Sequence, residues 1–203
     1  MFLPALILLA ATPSPAPDAA VLISRLKRPV PATTAYTEVR FAHQLTRPLI
    51  AHGELDYAGA DKLGKRVDAP YHESTQVDGG SVTVTREKRA PKHFDLQRAP
   101  ELKALMGGFS ALLGGDTAAL QALYTISLVD NAQNWTLTLV PRDAALAKQL
   151  HEFVIDGAGS EPRCFTLRQS NGDSSTMLLG PLAATKLPQP PTPAALAAIC
   201  RAP

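Results

Sequence analysis

The stretch Gly53-Glu-Leu-Asp-Tyr57, Ala58-Gly59-Ala60-Asp61, Lys62-Leu-Gly-Lys-Arg-Val67, Pro70 and Val77-Asp78-Gly79-Gly80-Ser81-Val82-Thr83-Val84-Thr85 decides the fold. Short alternating segments are separated by a glycine-containing break, a proline-marked bend and an Asp-Gly turn. That is the pattern of consecutive antiparallel strands. It contains no nucleophile motif, phosphate loop or metal cluster, so the shape of a sheet is expected to carry the function.

Working toward the N-terminus, Leu49 to Tyr57 and Ala35 to Leu45 read as two more strands around Thr46-Arg47-Pro48. Val39 and Phe41 share one phase of the first; Leu49, Ala51, Leu55 and Tyr57 share one phase of the second. Before them, Asp18 to Lys27 has an N-cap candidate in Asp18 and apolar residues at Val21, Leu22 and Leu26, which predicts a short helix ended by Pro29 and Pro31. The apolar run from Met1 to Ala11 is too short to span a bilayer core, which takes about 20 residues. It suits the apolar region of a secretory leader, although the usual Lys/Arg start is missing. No cysteine follows it to receive a lipid anchor. An exported protein with a leader over 1–17 is expected.

Toward the C-terminus, His93 to Gln97 reads as a further strand. Pro100 then opens a helix through Leu113, with apolar residues at Leu102, Leu105, Met106, Phe109, Leu112 and Leu113 and an interruption at Gly107-Gly108. Thr117 to Tyr124 is a second short helix. Strands return at Thr125 to Asn131, Trp135 to Pro141, Leu150 to Asp156, Arg163 to Gln169 and Ser174 to Leu179, with a helical turn or long loop at Asp143 to Gln149. A Pro/Ala-rich segment over 183–203 closes the chain, with a short helix at Ala194 to Cys200. Nine or ten antiparallel strands with helices in the middle define a mainly β, α+β chain. A sheet that wide curls, and the helices then have a resting place on its concave apolar face, closing a cavity suited to a hydrophobic ligand.

Composition narrows the function. The chain has 203 residues, 20 Lys and Arg against 18 Asp and Glu, and a net charge of +2 with no basic block. It therefore lacks the electrostatic footprint of a nucleic-acid binder. His43, His52, His72, His93 and His151 are scattered, no metal-ligand spacing is present, and no Gly-x-Ser-x-Gly elbow exists. Neither an enzyme nor a metal or cofactor is expected. Cys164 and Cys200 fit no zinc or redox spacing. They are either a disulfide tying the C-terminal segment to the sheet, which would stabilise by roughly 3–4 kcal/mol, or two idle thiols.

The order of elements resembles the periplasmic outer-membrane lipoprotein carrier (LolA-like) family. In that family a Gly-x-Leu strand, a proline and an aliphatic-x-Asp-Gly hairpin follow one another, and Gly53, Leu55, Pro70, Asp78 and Gly79 stand at those positions. The Tyr36-Thr-Glu-Val-Arg-Phe41 strand, the helical insert and the strand from Trp135 match in order, over roughly residues 18 to 180. The resemblance implies an incomplete antiparallel β-barrel over 18–182 whose helical lid covers an apolar cavity for acyl chains. It also implies a monomeric periplasmic carrier moving between an inner-membrane donor and an outer-membrane acceptor, with a lipid or acylated protein as cargo.

Carriers hold the lid with an arginine of an Arg-Pro dipeptide, where this chain has Gly59-Ala60; the following aromatic falls on Leu63. Arg66 and Lys62 are the candidates to replace that arginine. The departure points to the divergent LolA-related branch, whose members accompany lipid or aryl-polyene assembly. Phe41, Leu55, Tyr57, Leu63, Trp135 and Met177 are the expected cavity residues on the sheet. Leu102, Leu105, Met106, Phe109 and Leu112 are expected on the lid, and ordinary core is the alternative for these five and for Phe41, Tyr57, Trp135 and Met177. The alternative function is a non-enzymatic scaffold in an envelope lipid- or pigment-assembly complex.

Overall fold

The computed structural model of the chain describes residues 18–131 and 133–202, so the expected leader over 1–17 lies outside the described residues. Asp18 accepts from Ala20 N and caps α1 (Ala19–Arg25). Six strands follow: β1 (Ala32–Phe41), β2 (Leu49–Gly59), β3 (Lys62–Ala69), β4 (Glu73–Asp78), β5 (Ser81–Arg86) and β6 (Lys92–Asp95). A single 3-10 turn leads into α2 (Pro100–Gly114), which Gly115 ends in the left-handed conformation, and then α3 (Thr117–Leu123). The remaining elements are β7 (Tyr124–Asp130), β8 (Trp135–Pro141), α4 (Ala144–Ala147), β9 (Leu150–Ala158), β10 (Glu161–Gln169), β11 (Ser174–Leu179), a second 3-10 turn (Gly180–Ala184) and α5 (Pro193–Arg201).

Among the described residues the strands form one antiparallel sheet of eleven, in the order β6-β5-β4-β3-β2-β1-β11-β10-β9-β8-β7. Each half is a meander of sequential neighbours, and the seam between the halves is β1 against β11, in the register Tyr36 to Leu179 through Phe41 to Ser174. The barrel stays open, with β6 and β7 as its edges. α2 and α3 connect those two edges in sequence. A flat sheet of eleven strands would separate them by about 48 Å, whereas α2 spans about 22 Å. The half-barrel is rolled around the helices that connect its ends.

Side chains alternate across the sheet, which gives it two covered faces. The inner face gathers Tyr36, Trp135, Leu137, Leu139, Phe153, Ile155 and Leu179, and buries them against Leu22, Ile23 and Leu26 of α1, Leu112 of α2 and Leu120 of α3. The outer face has a second cluster of Val39, Leu178, Cys164, Leu196 and Cys200 under α5. Cys164 and Cys200 form a disulfide with Cα atoms 5.7 Å apart. Leu182, Leu187 and Ile199 pack on this second cluster, so the Pro/Ala-rich segment is docked against the sheet.

Several boundaries differ from the sequence reading, two of them near the site. β1 runs from Ala32 to Phe41, not from Ala35 to Leu45, because its register with β2 begins at Ala32 opposite Tyr57. The last strand before the helices stops at Asp95, whose carboxylate accepts from Gln97 N and turns the chain at Leu96.

Candidate functional site

The candidate site is the contact between α2 and the inner face. The apolar stripe of α2 sits over two parts of the sheet. Leu105, Phe109 and Leu112 pack into the main cluster. Leu102 and Met106 pack beside Leu63, Val77, Val82 and Leu96 in a third cluster nearer the β6 edge. Phe109 completes an aromatic trio, its ring 4.7 Å from that of Phe153 and 5.6 Å from that of Phe165, tilted and edge-on. Such packing holds the helix by shape and area.

Gly108 lets α2 approach closely. A Cβ there would lie 2.6 Å from a ring atom of Tyr124, which is fully buried. The Tyr124 hydroxyl donates to Ala104 O at 3.5 Å, and burial raises its pKa to about 12, so it stays protonated. Arg28 N donates to Leu113 O at 2.8 Å and fixes the far end of the helix. Among the described side chains no salt bridge joins α2 to the sheet.

Neither candidate replacement for the lid arginine reaches α2. Arg66 pairs with Glu54 at 2.7 Å and Asp68 at 2.8 Å, and Lys62 lies 3.5 Å from Asp78. Both have the phase opposite to Leu63 and point outward. Gly59 lies at the β2–β3 turn.

Ten of the eleven expected site residues occupy the inner face or the underside of α2: Leu55, Tyr57, Leu63, Leu102, Leu105, Met106, Phe109, Leu112, Trp135 and Met177. Phe41 does not. It shares the phase of Val39 and packs in the outer cluster under α5. Leu112 and Trp135 are buried as core, while Leu105, Met106 and Phe109 remain partly exposed.

Between α2 and the β3–β4 region lies a gap of about 140 Å³ whose lining includes Leu63, Val77, Leu96, Met106 and Gly107 and the charged Asp61 and Lys103. Pockets that hold small ligands run to about 300–1,000 Å³. The gap is too small for a long acyl chain unless α2 moves.

A polar group on the inner face escaped the sequence reading. The buried carboxylate of Glu38 accepts from Lys65 Nζ at 2.6 Å and Arg40 at 3.1 Å, and Lys65 stands 5.2 Å from the centre of the Tyr36 ring. Burial pushes the Glu38 pKa up, but the charges and hydrogen bonds of Lys65 and Arg40 together outweigh it and leave the carboxyl below its ordinary value. Tyr36 donates to Arg66 O at 3.1 Å, and burial followed by the neighbouring Glu38 raises its pKa. The signal was present as Tyr36, Glu38 and Arg40 on one phase of an otherwise half-apolar strand. Among the described residues no group of three His, Cys, Asp or Glu side chains is arranged to hold a metal ion, and no helix is long and apolar enough to cross a membrane.

The described residues thus form an open antiparallel half-barrel with an apolar helix laid into it. Over residues 10–202 the sequence matches the family described as outer membrane lipoprotein carrier protein LolA-like, and the chain belongs to that family. Comparison with curated proteins finds no match.

Among solved structures it is similar to the LolA superfamily protein NE2245 from Nitrosomonas europaea, at 10% identity, covering 84% of this chain and 93% of that one, with a TM-score of 0.45. It is also similar to a putative outer membrane lipoprotein-sorting protein domain from Vibrio parahaemolyticus (9% identity, 79% and 88% covered, TM-score 0.43). LprF from Mycobacterium bovis is a third (9% identity, 88% and 99% covered, TM-score 0.38).

Proposed function

We propose that this protein is a non-enzymatic periplasmic carrier that shelters an acyl chain, borne by a lipoprotein or by a lipid or aryl-polyene intermediate, between α2 and the inner face of the half-barrel. The observation that carries this reading is the lid itself. A helix with a broad apolar underside rests on the sheet through aliphatic and aromatic contacts, with Leu105, Met106 and Phe109 partly exposed at its margin.

Each buried methylene stabilises by about 0.8 kcal/mol, so one long chain is held firmly with no specific polar contact. The 140 Å³ gap marks where an alkyl chain enters as α2 lifts. Movement of α2 is then the loading step, and transfer to an acceptor protein is the release step.

Native mass spectrometry of the protein purified from the periplasm tests this. A co-purifying lipid mass that is lost on denaturation is the expected result. The filled inner face favours a second reading, a scaffold in an envelope lipid- or pigment-assembly complex. A clean apo mass, no uptake of a fluorescent fatty acid and a specific protein partner in pull-downs would establish it in place of the carrier.

A further inference from the structure

The inner face of β3 to β6 changes character from one rung of the sheet to the next. Leu63 faces Val77, Val77 faces Val82 and Val82 faces Phe94, which makes one rung wholly apolar. Leu63 and Val77 line the gap beside α2, and Leu102 and Met106 pack against this rung. Two residues away on each strand, on the same face, the next rung is Lys65, Thr75, Val84 and Lys92. The rung beyond is Val67, Glu73 and Arg86, the last two ion-paired. These rungs are not closed off: Lys65, Thr75 and Glu73 are half-buried, and Arg86 and Lys92 are exposed.

β1 brings two more charges to the same end of the inner face. Glu38 accepts from Lys65 and Arg40, and its register partner across the seam is Met177, an expected cavity residue. Among the described residues, the inner face of β1 to β6 therefore sets four cations, Arg40, Lys65, Arg86 and Lys92, against two carboxylates, Glu38 and Glu73. Lys92 makes no ion pair among the described residues, and Arg40 remains 46% exposed beside Glu38. The charged lining of the gap itself, Asp61 and Lys103, carries one charge of each sign. Paired charges on the wall of an apolar cavity contribute little net stability, and the excess here is all positive.

We infer that these rungs are the head-group end of the carrier site, and that the cargo is an amphiphile with a net negative head. The inference rests on the carrier reading and deepens it by naming the class of lipid. The chain lies along the apolar rung under α2, where burial alone holds it. The head meets Lys65 and Lys92 on the next rung, with Arg40 and Arg86 beyond. Glu38 keeps Lys65 extended across the face, and the unmatched cations select an anion over a zwitterion or a neutral head.

Titration calorimetry of the full chain with lysophosphatidylglycerol and lysophosphatidylcholine bearing the same acyl chain, below their micelle concentrations, is the test. The anionic lipid should bind about fivefold or more tightly than the zwitterionic one. That preference should shrink as salt is raised, because the cations are partly exposed. Lys92→Glu, at an exposed position, should keep the wild-type melting temperature and lower the preference about fivefold. Lys65→Gln should lower it as well, and if that variant fails to fold, Lys92→Glu decides alone. Lys62→Gln, on the outward phase of β3, should leave the preference as it is.

Equal affinity for the two lipids overturns the inference and leaves the carrier standing. A preference indifferent to Lys92→Glu, or lowered as much by Lys62→Gln, overturns it too, since general surface charge would then be the cause. Binding of neither lipid overturns the carrier reading together with the inference.

Discussion

Gly53 stands where three elements meet. It pairs with Tyr36 of β1 and Val67 of β3, beside a register shift in the β2–β3 ladder. A Cβ there would lie 1.8 Å from Arg66 O, the carbonyl that also accepts the Tyr36 hydroxyl. Backbone cannot rotate aside as a side chain can, so Gly53→Ala should cost about 3 kcal/mol, the upper part of the overpacking range, read by urea unfolding. The Glu38 trio makes a second case. Lys65→Met leaves a buried carboxylate with Arg40 alone and should cost about 2–3 kcal/mol at pH 7. Glu38→Gln should cost less, because Lys65 and Arg40 still reach water. The folded carboxyl lies below its ordinary value, so its contribution is full above the unfolded pKa of about 4.3 and is lost as pH falls below it. The gap between Glu38→Gln and the wild type should therefore shrink in unfolding curves taken at progressively lower pH.

At the scale of elements, α2 and α5 cover opposite faces and are held in opposite ways. α5 is tied by the Cys164–Cys200 disulfide, which closes a loop of 36 residues, and by Arg201 against Asp156 at 2.9 Å. Cys200→Ser should lower stability by about 3–4 kcal/mol in the loop-entropy account, and reductant should do the same to the wild type. α2 has no such tie, and its leading residues are not equivalent. Leu105→Asp should release bound lipid with little change in melting temperature. Phe109→Asp should also destabilise by about 2 kcal/mol, since it opens the trio with Phe153 and Phe165. Ligand retention measured beside thermal midpoints separates the two, and equal losses in both variants would return Leu105 to the core.

At the scale of the whole molecule, the seam decides cooperativity. β1, early in the chain, has β11, late in the chain, as its neighbour, and α1 packs on α3 and β7. Neither meander has a finished core without the other. A fragment of residues 18–98 should remain unfolded by circular dichroism, and the intact chain should unfold in one step with far- and near-ultraviolet signals coincident.

Much of this was legible because it is local. The Asp-Gly hairpin, the proline bends, the Asp18 cap and the apolar stripe of α2 follow from neighbouring residues, and the structure places each close to its expected position. Alternation also put Val39 and Phe41 on one phase. It could not say which face that phase meets, because helices cover both sides of this sheet; Phe41 lies under α5 for that reason. The Glu38–Lys65 pair was hidden likewise, its members 27 residues apart and joined only by the rolling of β1 to β3.

The sequence alone determined the strands, the helical insert and, through the stretch from Gly53 to Gly79, the family. Only the tertiary structure decided the β1–β11 seam, the face given to each phase, the disulfide, and the outward turn of Lys62 and Arg66. The physical reason is range. Turns, caps and alternation are set by a few adjacent residues, whereas faces and seams are settled by which distant surfaces bury one another.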